Sequence, residues 1–161
     1  MKLLGYPFYF WYLITGQRAR RKKRLQSYGA AEFTECRQTN HFRIAPNFPP
    51  LLELDDYPEV VGFLSEHFHQ FALDFVSVFQ SGNAFYDWII RLGIYLGDFV
   101  ILHSINPAEW VKDAQGCWVV QFNRSSGPFQ WSPFAFVEKR YFFGEPEDFH
   151  VSMDIFKKLK C

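Results

Sequence analysis

The chain has few cysteines, and none of them are paired at metal-binding spacing. Of its 161 residues only three are cysteines, and Cys36, Cys117 and Cys161 stand far apart. Zinc sites usually take two ligands from one short segment, and small disulfide-stabilised proteins carry a dense, even set of cysteines. The sequence therefore predicts no zinc site. It favours free thiols in a reducing, cytoplasmic compartment.

Strong cofactor motifs are also absent. The sequence contains no P-loop, no GxGxxG fingerprint and no HExxH metalloprotease segment. These motifs hold phosphates at a helix N-terminus or place two histidines on one helix face. We therefore expect no cofactor.

Acidic residues are missing from the start of the chain. No Asp or Glu precedes Glu32, whereas seven of the 17 Lys and Arg residues fall in the first 25 positions. Residues 26–161 are left with ten basic and 17 acidic residues, a formal charge of −7. An acidic body repels nucleic acid and attracts basic proteins. We expect a basic protein partner and no nucleic acid.

The first 25 residues join an apolar run, residues 3–15, to a basic run, residues 18–24. A secretory signal has the opposite order, and a membrane-spanning helix needs about 20 apolar residues. Three interpretations stay open: an anchor at the inner face of an anionic membrane, a nucleic-acid contact, or rings packed on the core before a solvated basic turn. The residues of the membrane interpretation are Trp11, Arg18, Arg20, Arg21, Lys22, Lys23 and Arg24.

The rest of the chain predicts a loosely structured connection over residues 26–50 and a single α+β domain over 51–161. Apolar residues at helical spacing predict helices over 58–79 and 84–103, which form an antiparallel hairpin. Short strands are predicted at 110–112, 117–122 and 129–131, and form a small antiparallel sheet. Two C-terminal helices, about 133–141 and 149–159, follow. Aromatic residues make up 20% of the chain, which predicts a core rich in rings.

Two sets of polar residues are candidate sites. Cys117 and His103 could serve as nucleophile and base of a thiol-dependent enzyme, with Asp98 orienting the base. No local signature surrounds Cys117, so we expect a binding protein and not an enzyme. The acidic residues form either a solvated face or a docking surface for a basic protein. They are Glu53, Asp55, Asp56, Glu145, Glu147, Asp148 and Asp154.

Gly93 and Gly97 form a GxxxG pattern on the second predicted helix, and we expect another element to approach its backbone there. The surrounding region contains a series of further motifs in a fixed order: Leu92–Asp98, Glu109–Val111, Trp131–Phe134, Val137, Lys139-Arg140 and Gly144–Asp148. In the order of these motifs, about residues 85–159 resemble an uncharacterised bacterial domain family. Ser132, Asp98 and Phe149 depart from the family pattern, which usually has Asn, Glu and Ser.

The family has no established activity. Its small domains are similar to immunity proteins that neutralise bacterial toxins, and this resemblance implies a role in binding a toxin. On this hypothesis the acidic body would cover a basic surface of a cognate toxin, with charge speeding capture and aromatic residues adding affinity.

Overall fold

The computed structural model describes residues 9–39, 60, 62 and 85–143. Residues 9–14 are helical and precede helix α1. The named elements are α1 (Gln17–Ser27), α2 (Ala30–Thr39), α3 (Phe85–His103), β1 (Ala108–Lys112), β2 (Trp118–Arg124), β3 (Gly127–Trp131) and α4 (Pro133–Phe143).

The three strands form one antiparallel sheet in the order β1-β2-β3. Its register pairs Trp110 with Val120 and Val120 with Trp131, so these side chains share one face of the sheet. Asp113 shapes the first turn, because its carboxylate accepts hydrogen bonds from the amides of Gln115 and Cys117. The sheet is thus a compact meander made from consecutive residues.

Helix α3 is the centre of the core and packs against α1, α4 and the sheet. Its two glycines allow close approach, as the GxxxG pattern predicts. A methyl group added at Gly93 would overlap the ring of Phe134, and one at Gly97 would overlap the ring of Trp110. The apolar character of α3 therefore serves packing within the domain. In the part of the chain that the structure describes, no helix has the length and hydrophobicity of a membrane span.

The α+β prediction is confirmed, and α3, α4 and the three strands begin and end close to their predicted bounds. Of the first helix of the predicted hairpin, only Val60 and Gly62 are described; both are helical, and Val60 is buried. The predicted helix over 149–159 lies outside the described residues.

The prediction of a loose connection over 26–50 is wrong for residues 30–39, which form α2. Phe33 is buried and stacks on Trp118, with ring centroids 4.3 Å apart and planes 3° apart. The side chain of Arg37 reaches Asp98 on α3, with 2.8 Å between Nε and Oδ1. One ring and one ion pair therefore fix this helix to the domain.

Candidate functional site

The N-terminal segment folds onto the domain through Tyr12. This side chain is fully buried, and its ring lies 5.3 Å from that of Phe142 on α4. Its hydroxyl donates a hydrogen bond of 3.1 Å to Oε2 of Glu138. Burial raises the pKa of Tyr12 well above its ordinary value, which keeps the hydroxyl protonated as a donor. Of the three interpretations of the N-terminus, Tyr12 therefore fits the one in which aromatic rings pack on the core.

Glu138 binds the charged side chains where the N-terminal segment meets α4. It is 4% exposed, and it forms a salt bridge with Arg21, which is 8% exposed. The Arg21 guanidinium lies 2.6 Å from Oε2 of Glu138 and also donates to the carbonyl of Phe134 at 2.9 Å. Arg18, at the surface, places its Nε 3.3 Å from Oε1. We call Tyr12, Arg18, Arg21 and Glu138 the Glu138 clamp, since together they hold the N-terminal segment on α4.

The helix of residues 9–14 turns an apolar side towards solvent. Phe10 is 64% exposed, Leu13 38% and Ile14 65%. Their spacing of three and four residues places them on one side of the helix. We call these three residues the apolar patch. These three residues are exposed although the segment is folded onto the domain, since Tyr12 on the opposite side of the same helix is buried.

Helix α1 follows at once and turns cations towards solvent. Arg20, Lys22, Lys23 and Arg24 are exposed, and neither α1 nor residues 9–14 contain an acidic residue. We call these four residues the basic face. The interpretation of residues 18–24 as a solvated basic turn is therefore wrong in two respects. The segment is helical, and one of its residues, Arg21, is buried in the Glu138 clamp.

Helix α1 lies along α3 in a fixed position. At its start, the side-chain oxygen of Gln17 accepts a hydrogen bond from the backbone amide of Tyr86, near the beginning of α3. At its end, Gln26 donates to the carbonyl of Gln115 in the β1–β2 turn at 2.9 Å. Helix α1, which carries the basic face, therefore extends from the apolar patch to the sheet, a length of about 16 Å for eleven residues.

The residues predicted for a membrane surface divide in two. Arg18, Arg20, Lys22, Lys23 and Arg24 are exposed, as that interpretation requires. Two others are not placed for it: Trp11 is half-buried against the core, and Arg21 is buried. Phe10, Leu13 and Ile14 were not among the residues predicted for a membrane surface. Their helical spacing was visible, but residues 3–15 are apolar on every side, so the pattern could not show which side faces solvent.

Among the residues of the predicted catalytic set, Asp98 has a structural role. Oδ1 of Asp98 accepts hydrogen bonds from Arg37 Nε and from Trp110 Nε1, the latter at 2.9 Å, so this carboxylate ties α2 and β1 to α3. His103 places its ring 4.7 Å from that of Phe99. Burial, then the charge of Asp113, raises the pKa of the Cys117 thiol. A raised thiol pKa disfavours the thiolate that a nucleophile needs.

The predicted acidic docking residues, from Glu53 to Asp56 and from Glu145 to Asp154, lie outside the described residues. The hypothesis of a basic partner, and with it that of an immunity protein, stays a prediction. No protein-family model, curated protein or solved structure matches the chain. The resemblance to an uncharacterised bacterial family therefore also stays a prediction.

Proposed function

We propose that the protein attaches peripherally to an anionic membrane surface through the apolar patch and the basic face. The observation that carries this proposal is their adjacency: three exposed apolar side chains are followed directly by an exposed cationic helix without acidic residues. Apolar side chains enter the headgroup boundary, and cations bind the phosphates above it. The surface that fits both sets of side chains is an anionic lipid bilayer, which has negative headgroups outside and an apolar interior.

The expected affinity is moderate. Each cation near an anionic bilayer contributes about 1 kcal/mol, so the four residues of the basic face contribute about 4 kcal/mol. Burial of a large apolar side chain contributes about 1.5–3 kcal/mol, and partial insertion of the patch adds roughly 3 kcal/mol in total. A sum of about 7 kcal/mol corresponds to a dissociation constant of roughly 10 μM.

The Glu138 clamp gives the attachment a direction. Because Tyr12 and Arg21 both bind the buried Glu138 carboxylate, the patch and the basic face belong to the same body as α3 and α4. A bilayer bound to this surface would hold the whole domain in one orientation, with α1 lying along the membrane.

The test uses a pair of double variants of the full-length chain. Leu13→Gln with Ile14→Ser removes most of the apolar patch. Leu102→Gln with Ile105→Ser is the matched control, since these residues are 56% and 53% exposed and lie at the opposite end of α3 from Gln17. Binding is measured by co-sedimentation with vesicles that contain about 30% phosphatidylglycerol in phosphatidylcholine.

We expect the patch variant to bind at least fivefold more weakly than the wild type, and the control to bind within twofold of it. Loss of insertion explains the first result, and the unchanged basic face explains any residual binding. Equal binding by all three proteins contradicts the proposal, and so does an equal loss in both variants.

A further inference from the structure

The chain between residues 9 and 25 could not place its side chains as they are if it were one uninterrupted helix. Residues 10, 14, 17, 21 and 25 follow one another at spacings of four, three, four and four, which would align them on one side. Yet Phe10 and Ile14 are exposed, whereas Gln17, Arg21 and Leu25 are buried. The exposed side must therefore change between Ile14 and Gln17.

The Glu138 clamp leads to the same requirement. Tyr12 and Arg21 are nine residues apart, which is about two and a half turns of an α-helix, so a continuous helix would point them in opposite directions. Both nevertheless reach Oε2 of Glu138. A rotation of the chain between them is needed for the clamp to form.

Gly16 supplies this rotation. Its φ of 72° and ψ of 13° are left-handed, and its amide donates to the Leu13 carbonyl as its own carbonyl accepts from the amide of Arg20. It thus ends the first helix and begins α1. A methyl group added at Gly16 would meet nothing within 4 Å, so space does not demand glycine here. Only the backbone conformation does.

We infer that Gly16 is the positioning residue of the membrane surface: its left-handed backbone turns the apolar patch outward beside the basic face while Tyr12 stays on Glu138. This inference rests on the proposed membrane role. Gly16 affects binding to the bilayer indirectly, through the geometry that it imposes on the neighbouring residues.

The test compares three variants of the full-length chain. Gly16→Val strongly disfavours the left-handed conformation, whereas Gly16→Asn tolerates it and is the rescue variant. Gly127→Val is the matched control, because Gly127 has a φ of 114°, open space around its Cβ and a place at the β2–β3 turn. Two quantities are measured: co-sedimentation with the same phosphatidylglycerol vesicles, and labelling of Tyr12 by hydroxyl-radical footprinting.

We expect Gly16→Val to weaken vesicle binding at least tenfold and to expose Tyr12 to labelling. Gly16→Asn and Gly127→Val should bind within twofold of the wild type and keep Tyr12 protected. Wild-type binding by Gly16→Val with Tyr12 protected overturns the inference, as does a Gly16→Asn variant as weak as Gly16→Val.

Two readouts keep the inference separate from the proposed function. If the wild type does not bind vesicles, the proposed function fails, and Tyr12 labelling still decides whether Gly16 sets the geometry. Far-UV circular dichroism shows whether each variant folds. If Gly16→Val unfolds the whole domain, Gly16→Ala is measured in its place with the same expected direction in both readouts.

Discussion

Replacing Glu138 by Gln is expected to loosen the N-terminal segment from α4. The substitution keeps the size of the side chain but leaves Arg21, 8% exposed, as a buried cation without its carboxylate. Breaking one partner of a buried ion pair costs about 3–5 kcal/mol. We expect the lower value, about 3 kcal/mol, because the amide oxygen of Gln can still accept one hydrogen bond from Tyr12 or Arg21.

Urea denaturation of the full-length chain measures this cost. With a slope of about 2 kcal/mol per molar, the unfolding midpoint should fall by roughly 1.5 M at an unchanged slope. Arg18→Gln is the control, and it should cost about 1 kcal/mol or less, because the Arg18 side chain is 52% exposed. The double variant Arg21→Met with Glu138→Met should regain only part of the loss, because it removes the buried charge but also the acceptor of the Tyr12 hydroxyl. A Glu138→Gln midpoint equal to that of the wild type would refute the clamp.

Three further predictions concern the core and its titrating groups. Gly97→Ala should lower the stability by about 1–2 kcal/mol in thermal unfolding, because its methyl group overlaps Trp110 while helix propensity repays only part of the cost; an unchanged midpoint contradicts this packing. Burial raises the pKa of Tyr12 and of Tyr28, so the stability that these residues contribute is complete below about pH 10 and declines above it. An unfolding midpoint that increases above about pH 10 would contradict this prediction. Iodoacetamide should modify Cys117 more slowly at pH 8 in the native protein than in urea, since its thiol pKa is raised; equal rates would contradict its burial.

The sheet and α3 could be predicted because their signals are local. β2 is rich in Val, Trp and Phe and ends in turn residues, and α3 repeats apolar residues at helical spacing over nineteen positions. Helix α2 lacks such a signal, since Phe33 is its one buried residue. Its stability comes from Trp118 and Asp98, which are distant in sequence. Tertiary contacts of this kind cannot be seen from a local pattern.

For the candidate site, the sequence could predict the types of residues but not their arrangement. The basic run was visible, but the burial of Arg21 depends on Glu138, which is more than a hundred residues away in sequence. The orientation of the apolar patch depends on Tyr12 reaching the same carboxylate across 126 positions. A sequence that is apolar around the whole helix gives no sign of which side will face solvent.

Attachment of the folded chain to an anionic membrane can be tested directly. The most direct measurement is a titration of the wild-type protein with phosphatidylcholine vesicles, with and without about 30% phosphatidylglycerol, at low and at high salt. We expect binding with a dissociation constant of about 10 μM to the anionic vesicles, much weaker binding to the neutral ones, and partial loss at about 0.5 M salt as the cations of the basic face are screened. Protein that stays in the supernatant with both vesicles, or that binds both equally and without regard to salt, would contradict the proposed attachment.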